Sequence, residues 1–71
     1  MSKKLETSSD DWYKFNEKAD KIQRKHSDAR TSDEKEKWER KAEELVDFMR
    51  SKYGDDEIVE SIINTYYLER L

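Results

Sequence analysis

The sequence predicts an all-α fold, a small three-helix bundle with helices at about 10–28, 33–53 and 55–71 and a flexible polar N-terminus over residues 1–9. Two observations point there. Apolar residues recur at steps of three and four instead of alternating, which is helical periodicity. The chain has a single glycine, Gly54, and no proline, so it is punctuated strongly at only one internal point.

Composition narrows the function classes. With no cysteine, disulfide scaffolds and thiolate metal sites are excluded. One glycine excludes a glycine-rich phosphate loop. No stretch approaches the roughly 18 consecutive apolar residues of a membrane span. Charged residues make up 46% of the chain and hydrophobic ones 32%, a balance that leans towards disorder. Two features oppose disorder. The charges nearly cancel, at a net −3, and the two Trp, four Tyr and two Phe sit at helical spacing. A core this small supplies no more than about 3–5 kcal/mol. A marginal domain, or one stabilised by a dimer or partner, is therefore expected.

Residues 1–9 hold one large apolar side chain, Leu5, among Lys, Ser, Thr and Glu, and read as a frayed lead-in. No apolar run of about 7–15 residues follows the early lysines, so a secretory leader is not expected and the cytoplasm is the default compartment.

The first helix is capped by Ser8, Ser9 or Asp10, with Asp10 and Asp11 at the positive end of its dipole. Trp12, Phe15, Ala19 and Ile22 form one face, and the row runs on to His26 and Ala29. Extending it lands on Asp33 and Glu36, whereas the next apolar row starts at Trp38. The two rows are roughly 120° out of phase, so a turn separates two helices. Thr31 and Glu34 have capping-box spacing at the second start. Trp38, Ala42, Leu45 and Met49 form the second face, with Val46, Phe48 and Tyr53 beside it. Gly54 then ends the helix in a left-handed cap.

The third helix starts on Asp55 or Asp56 and carries Ile58, Val59, Ile62, Ile63, Tyr66, Tyr67, Leu68 and Leu71. Those residues span roughly 220° of arc, more than the ~100° needed to face a core. The excess points to an interface built on Ile63, Tyr66, Tyr67, Leu68 and Leu71, covered by a protein partner or a second copy. An up-down bundle is the first expectation and a helical dimer sharing the third helix the second.

Chemistry is hard to find. His26 is the lone histidine, with no orienting partner evident, and reads as the edge of the first helix face. Glu43, Glu44 and Asp47 share a helix without a histidine, beside Arg40, Lys41 and Arg50. No catalytic set, metal, cofactor or small-molecule substrate is expected.

Lys14, Lys18, Lys21 and Lys25 form a row on the first helix, with Arg24 and Arg30 adjoining. From Asp11 to Arg30, six basic and four acidic residues give a net +2, which suits weak phosphate contact. Glu17 with Lys21 and Asp20 with Arg24 have the spacing of helix-stabilising ion pairs instead. The step at Gly54 invites comparison with a helix-turn-helix, but Gly54 to Leu71 carries a net −4, so sequence-specific DNA binding there is not expected.

An acidic surface of Glu36, Glu39, Glu43, Asp47, Asp55, Asp56, Glu57 and Glu60 suggests an alternative, an inhibitor or decoy of a nucleic-acid-binding protein. The leading expectation is a non-enzymatic protein that acts by association through its C-terminal helix. Weak phosphate-backbone binding by the first-helix lysines comes third.

Overall fold

The computed structural model describes residues 4–71. Residues 1–3 of the expected lead-in lie outside them. Three helices and no strand are present among the described residues: α1 (Asp10–Asp28), α2 (Ser32–Tyr53) and α3 (Glu57–Thr65). The small all-α three-helix bundle read from the periodicity is the observed fold.

Each start has a local cause. Ser9 accepts from the Trp12 amide at 3.2 Å, Thr31 from the Glu34 amide at 3.2 Å, and Asp56 from the Ile58 and Val59 amides at 3.0 and 3.2 Å. Each satisfies amides that the first helical turn leaves without partners. The capping box at Thr31 is displaced by one residue, since Glu34 accepts from the Arg30 amide, at 3.4 Å. Gly54 ends α2 at φ 69° and ψ −144°, a region a β-carbon disfavours.

α1 packs along α2 as an antiparallel pair, and the shorter α3 folds against both. Phe15, Ala19 and Ile22 of α1 meet Ala42, Leu45, Val46, Met49 and Tyr53 of α2. Val59, Ile62 and Ile63 close the core from α3. The body measures 41 × 20 × 16 Å.

Two expectations are corrected. Leu5 is not part of a frayed lead-in. It is 1% exposed and belongs to the core. A turn holds it there: the Ser9 amide and hydroxyl both donate to the Glu6 carbonyl, at 3.2 and 2.7 Å, and Ser8 takes a φ of 71°. Ser9 thus ties the strap to α1 while capping that helix.

α3 stops at Thr65 instead of running to residue 71. The Leu68 amide reaches the Ile63 carbonyl at 3.0 Å, and the Tyr67 amide reaches Asn64 at 3.3 Å. This is a Schellman closure with Tyr67, at φ 55°, in the left-handed position. The apolar contact that favours such a closure joins Ile63 to Leu68, both buried.

Candidate functional site

The closure settles where the C-terminal apolar residues go. Ile63 and Leu68, expected in an interface, are 1% and 4% exposed and lie in the core. That corrects the expected interface, because the chain bends back and buries them itself. Tyr66 and Leu71 are half-buried against the same cluster, and the Tyr66 hydroxyl donates to Asn16 Oδ1 at 3.1 Å. Of the five, only Tyr67 stands out, 56% exposed.

A different surface gathers the exposed apolar area with charge. Between α1 and α2 lies a groove of about 450 Å³. Lys18 and Lys21 line it from α1, and Trp38, Lys41 and Phe48 from α2, over Ile22 and Leu45 at the floor. Phe48 is 55% exposed although its ring meets buried Phe15 edge-on at 6.0 Å. The ammonium groups of Lys37 and Lys41 sit 5.5 and 5.8 Å from the Trp38 ring centre, where the ring's negative face attracts them. Glu44 is the one carboxylate on the lining.

Sequence reasoning placed Lys18 and Lys21 in a row of α1 but not opposite Lys41. It also set Phe48 beside the core without seeing that it stays out. The signal was available in the helical phase: Lys37, Lys41 and Phe48 share one flank of α2. Asp20 and Arg24 form the expected ion pair at 2.9 Å, so Arg24 is engaged away from the groove.

The acidic residues divide. Asp56 caps α3. His26 Nε2 lies 2.9 Å from Glu39 Oε2, which ties the end of α1 to α2 at the helix edge. Arg50 clamps two carboxylates. Its Nε and Nη2 donate to Glu60 at 3.0 and 2.8 Å, and its Nη1 and Nη2 to Glu69 at 3.3 and 3.0 Å. That bond to Arg50 holds the Glu60 carboxyl below the usual glutamate range, and the two carboxylates push the guanidinium pKa up. Glu36, Glu43, Asp47, Asp55 and Glu57 have no side-chain hydrogen bond or ion pair among the described residues. Glu43 and Asp47 line a second hollow, of about 370 Å³, with Leu71 and Leu68 at its apolar side.

One more cluster escaped the sequence reading. Asp11 Oδ2 accepts from Lys52 Nζ at 2.6 Å and from the Tyr53 hydroxyl. Its carboxyl is held below the usual aspartate range, first by Lys52 and then by Tyr53. The Tyr53 phenol is pushed up to about 12, chiefly because Asp11 favours the protonated donor. It fastens the start of α1 to the end of α2.

Among the described residues, no three His, Asp or Glu side chains converge as a metal site would require, and no helix is long and apolar enough to cross a membrane. No known protein family, curated protein or solved structure matches the chain.

Proposed function

We propose that the chain is a non-enzymatic protein-binding module whose α1–α2 groove takes an acidic protein segment anchored by an apolar side chain. The observation that carries this is Phe48, a large ring left 55% exposed inside a groove rimmed by Lys18, Lys21 and Lys41. An aromatic anchor at the centre with charge at the rim is how protein interfaces divide affinity from orientation. The ammonium groups favour a negative partner and speed its approach, with an effect that salt screens. A strand of bases fits less well, because single-stranded nucleic acid needs successive stacking platforms and of the groove's two rings, Trp38 and Phe48, the first already has Lys37 and Lys41 over it.

The test uses the Trp12→Phe variant, in which Trp38 is the only tryptophan. A synthetic helical peptide with glutamates along one face and a leucine anchor is titrated in, and Trp38 emission is read. Binding is expected, weakening as salt rises and falling at least ~10-fold with Phe48→Ser. A response to single-stranded oligodeoxythymidine but not to the peptide, or to neither, overturns the proposal.

A further inference from the structure

The two flanks of α2 lean to opposite charge, with Glu44 among the lysines of one and Arg40 among the carboxylates of the other. Lys37, Lys41 and Phe48 lie on the groove side. Glu36, Glu43 and Asp47 lie on the other. At 3.6 residues per turn, the centres of these two sets point roughly 120° apart. The acidic flank borders the second hollow, where Glu43 and Asp47 stand beside half-buried Leu71 and the Arg50 side chain is taken up by Glu60 and Glu69. Carboxylates beside a partly exposed leucine are chemistry complementary to the lysine rim and the Phe48 ring of the groove.

Resting on the reading of that groove as a protein-binding site, we propose that its occupant is a second copy of this chain, which presents the Glu36, Glu43 and Asp47 flank with Leu71. Two further observations favour it. Those three carboxylates are exposed and unengaged among the described residues, whereas Glu39, Glu60 and Glu69 are held by His26 and Arg50. The same exclusion applies on the basic side, where Arg24 and Lys52 are spent on Asp20 and Asp11, and Lys18, Lys21 and Lys41 are left for the groove.

The surfaces that meet are different ones, set roughly 120° apart around α2. The contact is therefore head-to-tail: each copy uses its groove on one neighbour and its acidic flank on another. Growth beyond two copies follows, in place of a closed twofold dimer.

Two variants test it by sedimentation velocity across a concentration series. One disables the groove, with Lys18→Gln, Lys21→Gln, Lys41→Gln and Phe48→Ser. The other disables the flank, with Glu36→Gln, Glu43→Gln and Asp47→Asn. All seven positions are exposed, and the 222 nm ellipticity of each variant is checked against wild type. Wild type is expected to grow past the dimer as concentration rises, with high salt reversing the growth. Each variant alone is expected to stay monomeric. Their equimolar mixture is expected to stop at a heterodimer, because only one competent groove and one competent flank remain per pair.

A wild type that stays monomeric to about 1 mM, the weak end of measurable affinity, overturns the proposal. So does one that stops at a dimer, or one whose association survives in either variant. If self-association fails while the acidic peptide still binds beside Trp38, the groove's role stands and only this occupant is lost. If the peptide fails as well, both fall.

Discussion

Replacing Leu5 with alanine tests whether the segment before α1 is structural. Leu5 is 1% exposed in the core. The change removes three buried carbons, about 2.4 kcal/mol of transfer free energy at ~0.8 kcal/mol per methylene. A cavity adds to that in rigid cores, but a terminal strap retreats, so the loss stays near the low end of the usual 2–5 kcal/mol, at about 2–3. Unfolding entropy near the midpoint is about 2.1 cal/mol/K per residue, or roughly 0.15 kcal/mol/K for this chain. The melting temperature should therefore fall by about 13–20 °C. Thermal melts followed at 222 nm, with urea titrations alongside, measure it, and Thr7→Ala at an exposed neighbouring position serves as control. A shift under about 3 °C, the range of an ordinary surface substitution, would refute the placement of Leu5.

Three other outcomes follow from the side-chain pairs and the α3 turn. Glu60 has a carboxyl pKa lowered by Arg50 from the ordinary 4.5, so its contribution is complete above that pH and is lost as pH falls through the lowered value. Urea midpoints should drop more steeply between pH 5 and pH 3 in wild type than in Arg50→Gln. The Tyr53 phenol, raised to about 12 from 10.0, contributes fully below pH 10 and loses that contribution as pH rises through 12. Ultraviolet titration should show a late phenol that disappears in Tyr53→Phe, together with the extra loss of stability in that window. Tyr67→Gly should raise stability by about 0.5–1 kcal/mol in denaturant melts, as relief of the left-handed backbone exceeds glycine's added chain entropy.

The helical rows were legible because burial imposes them: Phe15, Ala19 and Ile22, and Ala42, Leu45 and Met49, face the core as the steps of three and four required. So were the caps at Ser9, Thr31 and Asp56, whose chemistry is local. Leu5 was misjudged because periodicity carries no information about one apolar residue in a polar stretch. The end of α3 was missed because the left-handed position that stops it holds Tyr67 instead of glycine. That error inflated the apolar arc and assigned Ile63 and Leu68 to an interface. The groove needed Lys18 and Lys21 to be set against Lys41 and Phe48, and relative placement of two helices is a tertiary fact that neither row contains.

The link from Asp11 to Lys52 and Tyr53 spans 41 and 42 residues, and that from Asn16 to Tyr66 spans 50. Contacts so distant along the chain form only after both long helices exist and have met, because ordering the intervening loop is entropically unfavourable. They are expected to form in the last step of assembly, after the barrier has been crossed. Interactions absent at the barrier govern how long the finished molecule survives more than how fast it is made. Asp11→Asn should accordingly shorten the native lifetime in stopped-flow unfolding while the refolding limb scarcely moves. A slowed refolding limb would place this fastening early instead.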